Sequence, residues 1–309
     1  MRKKIFFILI ILTIMIGYFI GSYFVNFALR RVDPNDIDSG PPACANIHDP
    51  NVLIPSKPNF VSKIWSITSK DGLKLNATCF SADKPSDKWA ILVHGYGRDQ
   101  RYAWDYAEEY LERGYNVLTP DLRAAGTSEG TYVTMGAKES DDILLWIDKI
   151  IETDPQAKII LHGVSMGAAT VMLTASKNQS PNLVAVIEDC GYTGAYEMFT
   201  DQLDKIFNLP EIPIMTFVDY TSEYKVGVKI SDASPIKHIE NIKIPILFIH
   251  GTEDKLVPYF MMQQLYDVCD APVKEMFTVE GAGHASAKNT NPTAYFDRVF
   301  SFLDKYMEQ

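Results

Sequence analysis

The chain contains little cysteine. Only four of its 309 residues are cysteines, namely Cys44, Cys79, Cys190 and Cys269, and no two of them form a C-x-x-C pair. Four cysteines are too few for a disulfide-stapled scaffold in a chain of this length. We expect buried thiols, although an exported protein could form one disulfide bond from a pair that the sequence does not identify.

Charge is absent from residues 5–29, which are almost wholly apolar. At about 1.5 Å per residue, a helix of this length crosses the ~30 Å hydrocarbon layer of a membrane. We therefore predict an uncleaved transmembrane signal anchor at 5–29. The alternative is a cleavable signal peptide, but its apolar core would be only about 7 to 15 residues long and would end at a small-residue cleavage site.

Basic residues flank this run on both sides, with Arg2, Lys3 and Lys4 before it and Arg30 and Arg31 after it. Acidic residues closely follow the second group, so the net positive charge lies at the N-terminus. Because positively charged flanks stay in the cytoplasm, we expect residues 1–4 to be cytoplasmic. The sequence predicts a single-pass protein of the cell membrane whose remaining residues are extracellular.

Beyond residue 31 the chain has no excess of positive charge. That part holds all 39 Asp and Glu residues, whereas five of the 29 Lys and Arg residues precede it. It is therefore more acidic than the whole chain, whose formal net charge is −10. Such a surface repels nucleic acid and anionic lipid headgroups. We expect no nucleic-acid partner, and membrane contact through the N-terminal helix alone.

Regular structure is predicted over residues 61–309, where short apolar strands alternate with amphipathic helices. This alternation indicates an α/β fold with a mostly parallel sheet flanked by helices. Residues 30–60 are rich in proline and predict an extended tether. Residues from about 191 to 240 are too long and too rich in large apolar side chains for an irregular loop, so we predict a helical lid insertion there.

A candidate nucleophile lies in residues 163–167, which read GVSMG. An apolar, β-branched strand precedes the motif and a helix-forming segment follows it. In the G-x-S-x-G pattern, the flanking glycines permit the tight turn that exposes the central serine. Ser165 could instead be an ordinary turn residue, but the strand before it and the helix after it favour a nucleophile.

A serine nucleophile needs a base and an acid, which we expect in loops after later strands. His284, in VEGAGHAS, follows the last predicted strand and has small neighbours. Asp254, in HGTEDKLVP, follows the strand before it, and the chain order Ser, Asp, His fits this sheet architecture. Glu253 and Asp189 are alternative acids.

The oxyanion of an acyl-transfer reaction needs backbone donors. We expect one from the N–H of Met166, directly after Ser165, and one from the N–H of Tyr96 in the HGYG loop. His94, in the same loop, is expected to order it. The acidic residues Glu139, Asp141 and Asp142 open a predicted helix and are not expected to bind metal.

Taken together, these motifs resemble the α/β-hydrolase fold superfamily over residues 61–309. The stretch DLRAAGTSEG at 121–130 is similar to the D-x-R-G-x-G-x-S-x-G sequence of these enzymes, with Ala124 in place of a glycine. The segment SPIKHIENIKIPILFIHGTEDKLVP resembles bacterial membrane-associated serine hydrolases of the prolyl-oligopeptidase-like branch. The resemblance implies hydrolysis of an ester, thioester or amide, and an ion-pair role for Asp121 and Arg123 in their loop.

We therefore predict a membrane-anchored serine hydrolase that cleaves small or medium acyl esters through an acyl-enzyme, without cofactor or metal. A peptidase or amidase, or an acyltransferase with the same triad, is the alternative, and a binding module without chemistry is the least favoured. The oligomeric state stays open. The tether predicts that residues 31–309 work without the helix; the opposite expectation is that residues 5–29 line the substrate site, as would suit an enzyme that draws lipid from the bilayer.

Overall fold

A computed structural model describes residues 2–31, 54–178 and 180–307. Eight strands of these residues form one sheet in the order β1-β2-β4-β3-β5-β6-β7-β8. The pairs β1–β2 and β2–β4 are antiparallel, and all other neighbours are parallel. The strands are β1 (Ser62–Thr68), β2 (Lys74–Phe80), β3 (Lys88–Val93), β4 (Asn116–Pro120), β5 (Lys158–Val164), β6 (Leu183–Asp189), β7 (Ile246–Gly251) and β8 (Lys274–Val279).

Helices follow most strands and cover the sheet. Within the described ranges they are α1 (Arg2–Leu29), α2 (Trp104–Glu112), α3 (Glu139–Thr153), α4 (Met166–Lys177), α5 (Ala195–Phe207), α6 (Glu211–Val226), α7 (Phe260–Val268), α8 (Ala287–Thr290) and α9 (Pro292–Met307). The predicted mostly parallel sheet flanked by helices is confirmed.

Both faces of the sheet are buried, as the side-chain pattern of β3 illustrates. Ala90 and Leu92 join an apolar cluster with α2 and α9 on one face. Ile91 and Val93 join the cluster with α3, α4 and α7 on the other face. Because successive side chains of a strand alternate between faces, a strand without polar interruptions is stable only when both faces are covered.

The predicted helical lid insertion contains α5 and α6, followed by three short 3₁₀ turns between Ile230 and Asn241. Most apolar residues of these helices that face the domain are buried, among them Met198, Leu203, Met215 and Val218. The insertion begins after β6, so it leaves the sheet at the carboxyl ends of the parallel strands. Ligands bind at that edge in sheets of this kind.

Helix α1 has two parts. Residues 3–16 are exposed, whereas from Gly17 onward one face packs against lid helix α6. A β-carbon on Gly17 would lie 2.5 Å from the ring of Phe217, and one on Gly21 would clash with the hydroxyl of Thr221. The two glycines, four residues apart on one helix face, therefore permit this close approach.

The end of α1 is joined to the α/β domain by backbone hydrogen bonds. Val133 N–H donates to the carbonyl of Leu29 at 2.8 Å, and Arg31 N–H donates to Thr131 at 2.8 Å. Residues 32–53 of the predicted tether lie outside the described residues. The expectation of a helix independent of the domain is wrong for residues 17–31, because these residues pack on the lid and pair with the loop after β4.

Candidate active site

Ser165 lies at the sharp turn between β5 and α4. Its backbone has φ 57° and ψ −117°, a conformation that costs energy for a residue with a side chain. A β-carbon on Gly163 would clash with the carbonyl of Gly167, and one on Gly167 would clash with the carbonyl of Val93. Both glycines of the motif are therefore required by close packing, and the turn holds the serine hydroxyl above the sheet.

The structure brings Ser165, His284 and Asp254 together. Ser165 Oγ lies 2.8 Å from His284 Nε2, and His284 Nδ1 lies 2.7 Å from Asp254 Oδ2. These residues follow β5, β8 and β7, whose carboxyl ends meet at one edge of the sheet. A proton can pass from the hydroxyl to His284 Nε2 while the Nδ1 proton stays hydrogen-bonded to the carboxylate.

Asp254 is held as a carboxylate. Burial alone would raise its pKa, but hydrogen bonds from His250 and His284 and the backbone N–H of Val257 keep it well below its usual range. Its other oxygen, Oδ1, accepts the N–H groups of Leu256 and Val257 at 2.9 and 2.8 Å. An ionised acid fixed in this way holds the imidazole in one tautomer and stabilises its protonated form.

His250 is a site residue that the sequence analysis did not assign. It is fully buried, with Nε2 at 2.8 Å from the carbonyl of Val257 and 3.3 Å from Asp254 Oδ2. Burial alone would lower its pKa, but Asp254 and Glu188 raise it. Its position at the end of β7, four residues before Asp254, was the available sequence signal.

The alternative acids do not contact His284 in this arrangement. Asp189 Oδ2 accepts the hydroxyl of Tyr295 at 2.8 Å, and its backbone carbonyl accepts Ser165 N–H at 2.8 Å. Glu253 is exposed at the rim of the adjacent cavity. Asp189 therefore fixes the backbone of the turn, while Asp254 bonds to the imidazole.

The HGYG loop passes close beside Ser165. A β-carbon on Gly95 would lie 3.4 Å from Ser165 Cβ. His94 orders this loop, because its Nε2 accepts Leu122 N–H at 3.1 Å and its Nδ1 donates to the carbonyl of Gly95 at 2.8 Å. The hydroxyl of Tyr96 donates to the carbonyl of Ala28 in α1 at 2.7 Å.

Arg123 forms an ion pair in the loop after β4, but not with Asp121. It binds both carboxylate oxygens of Asp142 at 2.8 Å and also contacts Asp71 at 2.9 Å. Asp121 instead accepts hydrogen bonds from Gln100 and Thr127. These contacts tie the loop to α3 and to the β1–β2 turn, which is a structural role.

An apolar cavity of about 950 Å³ opens above Ser165 and His284. This volume is at the upper end of the range for small-molecule sites. Lid residues form much of its wall, namely Met198, Phe199, Leu203, Ile206, Phe207, Met215 and Val218. Phe24, Phe27 and Ala28 of α1 line the same cavity. The expectation that residues 5–29 stand apart from the site is therefore wrong.

One of the missed features of α1 had a sequence signal. Gly17 and Gly21 form a G-x-x-x-G pattern, which marks close helix packing in apolar segments. Phe24 and Phe27 had no distinguishing signal, because aromatic side chains are common throughout the apolar run.

One group of potential metal ligands occurs in the described part of the chain: Cys190, Asp254 and His284 offer ligand atoms within 4.8 Å of one another. Burial raises the pKa of the Cys190 thiol well above its usual value, which disfavours the thiolate that binds metal. Asp254 and His284 are already bonded to each other. The arrangement fits a hydrogen-bonded triad better than a metal centre. Cys79, Cys190 and Cys269 are buried free thiols, as expected, and Cys44 lies outside the described residues.

The model of the prolyl oligopeptidase family matches residues 102–309. The chain belongs to the prolyl oligopeptidase family. It is therefore a hydrolase with the α/β-hydrolase fold. Among its relatives, the uncharacterized protein YqkD of Bacillus subtilis (strain 168) is 30% identical over 219 residues, which cover 69% of this chain and 70% of YqkD. An uncharacterized membrane protein of Saccharomyces cerevisiae, YNL320W, is 23% identical over 77% of this chain and 78% of its own.

The solved structures that this chain resembles include two kinds of enzyme. The esterase Pf2001 of Pyrococcus furiosus is 27% identical with a TM-score of 0.66, covering 82% of this chain and 99% of the esterase. The acylaminoacyl peptidase of Pyrococcus horikoshii is 17% identical with a TM-score of 0.63, covering 82% of this chain and 43% of the peptidase. At 17% identity the second likeness concerns the fold alone.

Proposed function

We propose that this chain is a membrane-anchored serine hydrolase that cleaves carboxylic esters through Ser165, His284 and Asp254. The observation that carries the proposal is the continuous hydrogen-bond chain from Ser165 Oγ to Asp254 at the floor of an apolar cavity. The similarity of this chain to the esterase Pf2001 supports an ester rather than another acyl substrate.

In the first half of the reaction, His284 Nε2 takes the proton of Ser165 as Oγ attacks the carbonyl carbon of the ester. The backbone N–H groups of Tyr96 and Met166 donate to the resulting oxyanion, and each such donor contributes roughly 3 kcal/mol. His284 then gives its proton to the alcohol oxygen, the C–O bond breaks, and the acyl group stays on Ser165.

In the second half, water enters the place of the alcohol. His284 Nε2 takes a proton from this water as its oxygen attacks the acyl-enzyme carbonyl. Collapse of the second tetrahedral intermediate returns the proton to Ser165 Oγ and releases the carboxylic acid. Every proton in this sequence moves through His284, so the residues named are sufficient without a cofactor.

Membrane attachment is part of the proposal. Residues 3–29 form a helix long and apolar enough to cross a membrane, and the relative YNL320W is called a membrane protein. Three basic residues at the N-terminus favour a cytoplasmic N-terminus with the hydrolase domain outside the cell.

A peptidase or amidase is the second candidate, because the family is that of prolyl oligopeptidase. Charged residues at the cavity rim, including Glu253 and Lys255, could hold the ends of a peptide. An acyltransferase would use the same acyl-enzyme with an acceptor other than water.

A substrate panel separates these functions. Full-length protein in detergent should hydrolyse 4-nitrophenyl esters with a kcat/KM at least about tenfold above that for matched aminoacyl 4-nitroanilides. The Ser165→Ala variant is the control for background hydrolysis. A preference for the anilides would favour the peptidase, and acyl transfer to an added alcohol in preference to water would favour the transferase.

A further inference from the structure

We propose that helix α1 is part of the substrate site: its C-terminal half forms one wall of an acyl-chain pocket, and the chains bound there belong to acyl lipids taken from the bilayer that α1 crosses. The proposal rests on the proposed function and names the substrate class of the same site, a lipid carboxylic ester.

The wall itself consists of aromatic side chains shared by α1 and the lid. Phe24 and Phe27 line the cavity that also contains Ser165. Their rings pack edge-on against Phe207 of lid helix α5, with centroid distances of 5.2 and 5.4 Å. Edge-to-face pairs of this kind are stabilising. An acyl group attached to Ser165 therefore faces an apolar surface that exists only when α1 is docked.

The docking of α1 on the lid is close and has polar contacts as well as packing. The backbones approach through the two glycines of α1, as in small-residue interfaces between membrane helices. Lys225 of α6 donates from Nζ to Ser22 Oγ and to Asn26 Oδ1, both at 2.9 Å. These bonds fix the rotation of α1, so that Phe24 and Phe27 face the cavity.

The length of the exposed part of α1 determines how close the lid lies to the membrane. The apolar residues that stand clear of the domain, 5–16, span about 18 Å at 1.5 Å per residue. This is shorter than the ~30 Å hydrocarbon layer. A bilayer that α1 crosses must therefore also reach the part of α1 beyond Gly17 and the lid helix packed on it.

The lid carries side chains that suit this position. Ile212, Tyr220 and Tyr224 of α6 are 71%, 63% and 77% exposed. The ring of Tyr18 in α1 meets that of Tyr224 edge-on, with centroids 6.0 Å apart. Tyrosine is enriched at the boundary between hydrocarbon and water. The lid thus places an apolar and aromatic surface at the membrane, beside the cavity that holds Ser165.

The test compares alkyl fluorophosphonates with 2-carbon and 12-carbon chains as labels of Ser165 in full-length protein reconstituted in phospholipid vesicles. The wild-type protein should react faster with the long chain. In Phe24→Ala and Phe27→Ala, the ratio of long-chain to short-chain labelling rates should fall by about tenfold. The matched control Phe7→Ala, on the exposed part of α1, should keep the wild-type ratio. Because both probes are used on one preparation, the ratio does not depend on the folded fraction.

A second arm separates the bilayer from water as the source of the chain. The 12-carbon probe is supplied either in the vesicles that hold the protein or in separate vesicles at the same total concentration. Entry from the bilayer predicts an initial rate at least about tenfold higher in the shared vesicles. Equal rates would mean uptake from water and would overturn the proposal.

The outcomes distinguish this proposal from the one on which it rests. If neither probe labels Ser165, the proposed function fails and the lipid site fails with it. If both probes label Ser165 but the ratio is unchanged in Phe24→Ala and Phe27→Ala, the serine hydrolase stands and the acyl-wall role of α1 is overturned.

Discussion

The hydroxyl of Tyr96 donates a hydrogen bond of 2.7 Å to the backbone carbonyl of Ala28. Tyr96 belongs to the loop beside Ser165, and Ala28 belongs to the helix predicted to cross the membrane. This bond connects the two parts of the molecule that the sequence led us to treat as separate. A shift of α1 would therefore also move the HGYG loop that contains Tyr96.

Replacing Tyr96 by Phe tests that connection. The variant loses one partly buried hydrogen bond, and we expect it to lower the free energy of unfolding by about 0.5–1.5 kcal/mol. We also expect a modest loss of kcat, because the loop that carries a proposed oxyanion donor becomes less firmly held. Thermal unfolding and ester hydrolysis in detergent measure the two effects. An unchanged kcat would mean that the bond serves stability alone.

A wedge between α1 and the lid should be costly. In Gly21→Leu the new side chain meets Thr221 and the backbone of Phe217, where no space is available. Overpacking of this kind typically costs about 1–3 kcal/mol. Thr13→Leu, on the exposed part of α1, is the matched control. Equal melting temperatures for the two variants would contradict the docking of α1 on α6.

Two isosteric changes test which carboxylate is the acid of the proposed triad. Asp254→Asn should lower kcat by roughly 10³–10⁴-fold, because the amide does not stabilise the imidazolium of His284. Asp189→Asn should cost far less, since the backbone of Asp189, not its carboxylate, bonds to Ser165. The reverse order of activities would assign the acid to Asp189.

The pH dependence of stability should carry the signature of Glu188. Burial raises the pKa of this carboxyl from 4.5 to about 8. Between these values the folded protein holds a proton that the unfolded chain has released, so its stability falls as the pH rises from about 5 to 8, by up to about 1.4 kcal/mol per pH unit. Glu188→Gln does not ionise and should make this decline shallower.

Chemical denaturation at several pH values measures this slope. Burial also raises the pKa of Asp189, to about 6, and the hydrogen bond to Asp254 raises the pKa of His250, so the wild-type slope between pH 6.5 and 8 has more than one source. The difference in slope between the wild-type protein and Glu188→Gln isolates the contribution of Glu188. Glu152→Gln, on the exposed surface of α3, is the control and should keep the wild-type slope. If Glu188→Gln kept it too, the proton would not reside on Glu188.

Much of the α/β domain follows from local patterns. Strands such as β5 can be predicted from the sequence, because both faces of a parallel sheet are covered and the strand is therefore a continuous apolar run. The positions of Ser165, Asp254 and His284 follow from one rule, that loops after parallel strands meet at a single edge. Glycines at 163 and 167 mark the turn because a β-carbon does not fit at either place.

The docking of α1 did not follow from local patterns, because a helix apolar on all sides gives no indication of which side meets protein and which meets lipid. Only the spacing of Gly17 and Gly21 pointed to a packed face. His250 was missed for a related reason: a histidine at the end of a buried strand looks like a core residue until the loop containing Asp254 folds back over it.

Identification of the residue that a fluorophosphonate modifies tests directly whether Ser165 is the nucleophile of a hydrolase. Full-length protein is treated with a fluorophosphonate and digested, and the modified residue is identified by mass spectrometry, in parallel with Ser165→Ala. We expect one adduct, on Ser165, with loss of ester hydrolysis in proportion to labelling and neither labelling nor turnover in the variant. Labelling or turnover that persists in folded Ser165→Ala would contradict it.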